Sequence, residues 1–255
     1  MYPRNGITGE QNNRRASHVC GDLRGAAEGG EVERLSRPRA KFLKPKLESI
    51  EGFIDNERFE SKRTKGRVLS LSTWADEKAV IRWRTQGEHH GVQEKGRFEV
   101  FEDYHLRVGE ITADTAPPKA VAVTEQRFDA TEIGEAKLVT ITELEPREKS
   151  TLGAKADQLR AHLGLRAGTD GLIDQELFES IYNPGKLLLL AGWRDAEAAK
   201  AWTPTKPDAA ASLRHRHVRI IRDYGMFDRR EAPQFYPDVK RAADAAPQAR
   251  KRAVG

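Results

Sequence analysis

Two stretches of the chain set apolar and aromatic positions among charged ones in nearly the same order. GFIDNERFES, residues 52–61, returns as GLIDQELFES, residues 171–180, with seven of ten positions identical. Such runs predict half-exposed strands over Phe53–Glu60 and Leu172–Glu179. A turn follows each, Lys62–Gly66 and Ile181–Gly185, with Asn183-Pro184-Gly185 the stronger turn signal. Next come the most apolar runs, Val68–Trp74 and Leu187–Trp193, expected as central strands. Asp76 then stands as an N-cap before Glu77, and Ala79, Ile81 or Val80, and Trp83 supply an apolar face, so Asp76–Phe101 is expected to be helical. Tyr104–Ile111 alternates again and predicts a strand.

The echo extends at a fixed offset of 119. Gly66 falls on Gly185, Trp74 on Trp193, Asp76 on Asp195, Ala79 on Ala198 and Trp83 on Trp202. One added residue brings Asp103-Tyr104 onto Asp223-Tyr224. Several matches in one order indicate an internal duplication. The second copy continues upstream, with Lys137–Leu144 as a strand and Ala154–Leu165 as a helix turning Ala156, Leu159 and Leu163 inward. Its order is β-α-β-β-α-β, a ferredoxin-like unit. The first copy has a helix candidate over Lys41–Ile50, but HVCGDLRG, residues 18–25, lacks a strand pattern. Either that strand is lost or another segment supplies it. Ala120–Val123 is an unassigned strand able to do so or to pair across the halves. In the second copy, Pro204 and Pro207 interrupt the second helix, which is expected to end near Trp202 and restart near Asp208.

Charge changes the picture little. The net charge of +5 comes from the ends: residues 1–50 and 229–255 each carry +4, and the stretch between carries −3. An acidic body is a poor phosphate-binding surface, so no nucleic-acid partner is expected. No apolar run approaches the ~20 residues that span a membrane, and no signal segment follows the N-terminal charges. Cys20 is the single cysteine, which excludes an internal disulfide and a cysteine-based metal site. The expected setting is cytoplasmic.

GFIDNERFES, KGRVLSLSTW, ADEKAVIRW, EHHGVQEKGR and DYHLRVGEI together resemble the antibiotic biosynthesis monooxygenase family. The match is dense over residues 50–111; over 137–230 it is clear in the strands and weaker in the second helix. The resemblance implies an α+β fold, with tandem ferredoxin-like units forming a dimeric α+β barrel-type pseudo-dimer within one chain. The units would be residues 37–118 and 137–237, joined by a linker over 119–136 with room for an extra strand. Residues 1–36 are expected to be disordered and 238–255 to form a flexible basic tail.

The resemblance also implies a monooxygenase taking dioxygen and a small electron-rich aromatic, a quinol or polyphenol, in a cavity between sheet and helices. No bound cofactor and no metal would be needed. A deprotonated phenol reacts with dioxygen once a dry pocket, a base and anion-holding donors are in place. Two alternatives stand beside this: a non-enzymatic ligand-binding or stress-related module, and haem binding or degradation. The haem-degrading branch uses an Asn on the first strand and a His ten residues after a Trp. Here those spacings reach Gln93 and Ser212, and KLVTITEL holds no Asn. Further self-association is left open.

The candidate catalytic residues are His89, His90 and Tyr104; the candidate substrate-binding residues are Trp74, Arg97, Trp193 and Tyr224. Adjacent histidines on a helix point about 100° apart, so His89 and His90 cannot both face one cavity; a surface pair beside Gly87 is the plainer reading. Trp74 and Trp193 line a cavity or pack the core, and Tyr104 and Tyr224 bind substrate or anchor the last strand. Arg97 stabilises an anion or sits on a solvated helix face. His215 and His217, with Arg214, Arg216 and Arg219, are expected to make the second copy's helix basic, a face able to bind an anionic ligand but read first as solvent-exposed. If one cavity alone works, the first copy is favoured, because it keeps its Glu-His segment and lacks the prolines. Since what repeats best is scaffold, chemistry is expected where the copies differ.

Overall fold

The computed structural model describes residues 14–16, 18–20, 44–86, 103–118, 121–148, 159 and 161–233. In chain order its strands are β1 (Arg14–Ala16), β2 (His18–Cys20), β3 (Phe53–Ser61), β4 (Val68–Trp74), β5 (His105–Asp114), β6 (Val121–Val123), β7 (Leu138–Pro146), β8 (Leu172–Ser180), β9 (Leu187–Trp193) and β10 (Ala210–Gly225). Helix α1 (Glu77–Arg84) follows β4, and α2 (Ala196–Lys200) follows β9. A helical turn covers residues 44–48. Eight strands close into a barrel in the order β10-β5-β2-β4-β3-β8-β9-β7. Closure leaves the sheet without an open edge.

The two echoing stretches are β3 and β8, and they pair with each other. Phe59 faces Ser180, Glu60 faces Glu179 and Ser61 faces Phe178, so the repeated Phe-Glu-Ser runs antiparallel against its own copy. Bonds around this seam are reciprocal. Lys62 N–H donates to the Leu177 carbonyl, and Ile181 N–H to that of Arg58. The Ser61 hydroxyl donates to Glu176 at 2.5 Å, and the Ser180 hydroxyl to Glu57 at 2.5 Å. Arg67 then neutralises Glu176, and Lys186 neutralises Glu57. The second seam joins β5 to β10, with Arg219 opposite Glu110.

Alternation sorts each strand between two cores. Phe59, Leu69, Ile141, Phe178, Leu188 and Val218 fill the barrel. Leu138, Leu144, Leu187, Leu189 and Trp193 face outward beneath α2, Leu159 and Leu163. The matching outer cluster of the first half gathers Leu47, Trp74, Ala79 and Val80. Both helices start alike: Asp76 accepts from Ala79 N–H at 2.7 Å and Asp195 from Ala198 N–H at 2.8 Å.

Three segments differ from the sequence expectation. HVC does form a strand: β2 lies between β4 and β5, where β7 lies between β9 and β10 in the second half. Three residues are too few for a visible alternation, and pairing on both sides is what defines the strand. Val121–Val123 does not fill that place; it pairs in parallel with β1. Residues 210–225 are a strand instead of a restarted helix. The helix ends at Lys200, before the prolines, and the chain re-enters extended. In the first half the helical stretch is described only over Glu77–Arg84 with its cap at Thr85; residues 87–102 lie outside the described residues.

The repeated glycines that open the two stretches have a shared packing reason. Gly52 (φ +89°) would place a Cβ 2.7 Å from Ala79 Cβ, and Gly171 (φ +71°) 2.3 Å from Ala198 Cβ. Both strain and overlap therefore oppose any side chain there. Gly171→Ala is expected to destabilise by about 2–3 kcal/mol. Gly168→Ala, which has a positive φ but open space around its Cβ, should cost only about 1 kcal/mol. Urea midpoints of the two variants check the difference.

Candidate functional site

Strand β10 turns His215 and His217 outward toward α2, and Arg216 and Val218 into the barrel. On β7, Thr142 is registered with His215 and Thr140 with His217. Trp193 closes β9, and its indole N–H donates to Thr140 Oγ1 at 2.9 Å. Trp202, just past α2, stacks on Trp193 at 5.9 Å and donates its N–H to the Leu163 carbonyl at 2.9 Å. The edge of His215 meets Trp202 with ring centroids 5.3 Å apart. The result is a packed layer between the sheet and the α2 segment, with Trp193 and Trp202 set beside Thr140, Thr142, His215 and His217.

The two imidazoles are tied together. His215 Nδ1 is 2.8 Å from Thr142 Oγ1, and His215 Nε2 is 3.1 Å from His217 Nε2. His215 is 5% exposed. Burial, then the neighbouring His217 charge, pushes the His215 imidazolium down to a pKa of about 4. Burial and then Lys200 lower His217 as well. Both rings are therefore neutral near pH 7, so within this pair one Nε2 carries a proton and the other accepts.

The copies diverge at these positions. Leu138 pairs with Trp193 and Arg219, just as His18 pairs with Trp74 and Glu110. That register sets His217 against Val108 and His215 against Leu106. It also overturns the equivalence of Asp103-Tyr104 with Asp223-Tyr224: Tyr224 lies opposite Leu106 across the β5–β10 seam. Tyr104 and Tyr224 instead meet at one arginine. Arg229 donates to Tyr104 Oη at 2.6 Å and lies over the Tyr224 ring at 5.6 Å.

Trp74 and Trp193 are both fully buried as packing groups of the two outer clusters. Trp74 N–H donates to Ser72 Oγ at 2.9 Å, and its ring meets Phe53 edge-on. His89, His90 and Arg97 lie outside the described residues. His215 and His217 sit on a strand, not on an exposed basic helix. Arg216, which falls at the offset position of Arg97, is buried in the barrel, where it pairs with Glu143 and donates to Thr73 Oγ1 at 3.3 Å. Burial alone would raise the Glu143 carboxyl, but the Arg216 and Lys186 cations outweigh it and hold the group below its usual range. A cavity of about 20 Å³ remains among Leu69, Leu71, Ile141, Leu188 and Val218, room for roughly one water.

The model of a family described as antibiotic biosynthesis monooxygenase matches residues 27–95 and 139–212. The chain belongs to the antibiotic biosynthesis monooxygenase family. A relative from Pyricularia oryzae, described as jasmonate monooxygenase ABM, is 40% identical over 203 residues, covering 78% of this chain and 89% of its own. Among solved structures, an aldoxime dehydratase in complex with butyraldoxime aligns with a TM-score of 0.52 at 8% identity, covering 83% of this chain and 81% of its own. A second aldoxime dehydratase structure gives a TM-score of 0.52 at 12% identity, covering 83% and 84%. These two likenesses concern the fold, an α+β arrangement with a curled antiparallel sheet. Among the described residues no helix is long and apolar enough to cross a membrane.

Sequence reasoning misses the histidine pair as a site because it takes the element for a helix. The signal that could have found it is the strict alternation of Arg214-His215-Arg216-His217-Val218, which puts both imidazoles on one face of a strand. The shifted titration has a consequence. The unfolded chain takes up a proton at His215 near pH 6.5, whereas the folded ring resists until about 4. Stability is therefore expected to fall as pH drops from 6.5 toward 5, by about 1–2 kcal/mol, and His215→Leu should flatten that stretch. Urea unfolding at pH 7, 6 and 5 of both proteins provides the check.

Proposed function

We propose that the chain is a monooxygenase whose substrate, a small organic molecule, enters a slot opened in this layer of the second half, over His215 and against Trp202. We further read the chain as a tandem pseudo-dimer of ferredoxin-like units, the second of which carries this chemistry. The observation that carries the reading is the neutral His215–His217 pair, fixed by Thr142, at positions where the first half has Leu106 and Val108. A neutral imidazole can take the proton of an acidic O–H or of a strongly activated C–H, and the burial that lowers its pKa also weakens it as a base, which restricts it to the more acidic substrates. The anion so formed is the species that reacts with dioxygen. For an activated methylene, one dioxygen is consumed: one of its oxygen atoms becomes the new carbonyl oxygen, and the other leaves as water with the two methylene hydrogens. That change balances without an outside reductant. A simple hydroxylation needs two further electrons, from a reductant such as a nicotinamide.

The relative's description makes jasmonate the first substrate to test, ahead of quinols and polyphenols. Lys200, which lowers His217 and pairs with Glu197 at 3.0 Å on the exposed face of α2, is the cation this reading assigns to the carboxylate of such an acid. Oxygen consumption and product mass are to be followed for both substrate classes, with and without a nicotinamide reductant. Turnover of at least one class is expected, with kcat falling about 10²-fold or more in His215→Phe. Lys200→Gln should raise KM for an acid substrate while changing kcat little. Saturable binding without turnover of any substrate would replace the enzyme by a ligand-binding module.

A further inference from the structure

Both ring nitrogens of the buried His215 are already engaged. Nδ1 meets Thr142 Oγ1 at 2.8 Å, and Nε2 meets His217 Nε2 at 3.1 Å. His215 therefore has no lone pair left to offer a substrate. His217 is only half-buried, and its bond to His215 uses one nitrogen of two. Its Nδ1 has no hydrogen-bond partner among the described residues. It is also not one of the buried polar atoms there that lack a partner, so this nitrogen is open to solvent. His217, His215 and Thr142 thus form a hydrogen-bonded row that runs from the surface inward.

The row has two self-consistent proton arrangements. In one, Thr142 donates to His215 Nδ1, His215 Nε2–H donates to His217, and the outer Nδ1 of His217 carries a proton. That nitrogen then has no lone pair and is no base. In the other, every proton sits on the opposite side of its bond. His215 Nδ1–H donates to Thr142, His217 Nε2–H donates to His215, and the outer Nδ1 is bare. The charge of Lys200, on α2, acts on His217, and a cation outside the pair favours an outer lone pair over an outer N–H.

We propose, resting on the oxygenase reading, that His217 Nδ1 takes the substrate's proton and that His215 and Thr142 are positioning residues that keep it bare. The proton of an O–H or activated C–H forms its new bond to Nδ1, and the electron pair stays on the substrate as its anion. The His217 imidazolium then donates through Nε2–H to the neutral His215 Nε2. That bond changes from neutral to charge-assisted, roughly twice as strong. The gain falls on the protonated state alone, so it offsets part of the weakening that burial imposes on the base. Thr142, by accepting from His215 Nδ1–H, keeps the His215 lone pair directed at His217.

The first test is the NMR spectrum of the full chain, isotope-labelled at its histidine nitrogens, at pH 7.5 without substrate. His217 Nδ1 should show the shift of a bare nitrogen and His215 Nδ1 that of a protonated one. The opposite tautomers overturn the proposal, and this measurement needs no variant. The second test is turnover of the substrate found by oxygen consumption. His217→Gln should lower kcat about 10²-fold or more. His215→Gln, whose amide oxygen can still accept from His217 Nε2–H, should lose only about tenfold. Thr142→Val should also lose about tenfold and shift the tautomer signals toward the outer N–H, and Thr142→Ser should restore most of both. A larger loss in His215→Gln than in His217→Gln, or unaltered signals in Thr142→Val, overturns the assignment. Turnover with the wrong tautomer or the wrong ranking overturns this role of His217 alone. No turnover of any substrate, whatever the spectrum, overturns the oxygenase reading and this role with it.

Discussion

The barrel depends on one strand pairing with its own copy. Phe-Glu-Ser of β3 lies antiparallel to Phe-Glu-Ser of β8, and each half supplies the groups that the other half's end lacks. Ser61 satisfies Glu176 and Ser180 satisfies Glu57, while Arg67 and Lys186 neutralise the same two carboxylates. Glu176 is 4% exposed. A carboxylate buried that far is tolerable only with partners in place, so neither half is satisfied at this seam without the other. The barrel interior follows from the same constraint, since Phe59 and Phe178 enter it from the two sides of the seam.

With the scaffold fixed from both sides, the outer faces were free to diverge. The glycines at the strand starts, the alanines they press against, the N-cap aspartates and the two tryptophan pairs recur because each helix must rest on its sheet in the same way. The floor beneath the helices does not recur. One half puts leucine and valine there, and the other puts two histidines, held by a threonine on β7. The inner face of the same strand carries Arg216 into a buried ion cluster with Glu143 and Lys186. That cluster anchors β10 from within and fixes the direction in which the histidines point. The two histidines therefore have a packed layer of charge behind them, a rigid support for the strand that carries them.

Much of this is legible in the chain. The repeated stretch, the turn glycines, the capping aspartates and the matched tryptophans all follow from identities at one offset, and they are the parts that pack. The failures have physical causes. Three residues of β2 are recognisable only through the strands on either side. Strand β10 begins Ala210-Ala211, which suits a helix as well as a strand, and the prolines before it hide the change from one to the other. With β10 taken for a helix, His215 and His217 are spread around a cylinder instead of set on one face. The offset of 119 also fails at the last strand, where the register requires a different alignment, and the two tyrosines it would equate are neighbours around Arg229.

The two seams show what a single chain gains over a pair of identical ones. In a true twofold, a residue facing its own copy must face the same residue type. At the β3–β8 seam that rule still holds: Glu60 faces Glu179, and the like charges are relieved from outside by Lys62, whose ammonium is 2.7 Å from Glu179. At the β5–β10 seam the self-facing position has diverged to Glu110 opposite Arg219, 3.7 Å apart. Glu110 is fully buried and also accepts from the backbone N–H groups of Gln126 and Arg127, just after β6. A homodimer could not place opposite charges on its own axis; a single chain can, because its two halves differ in sequence. The same freedom lets one half carry His215 and His217 where the register of the other half sets Leu106 and Val108.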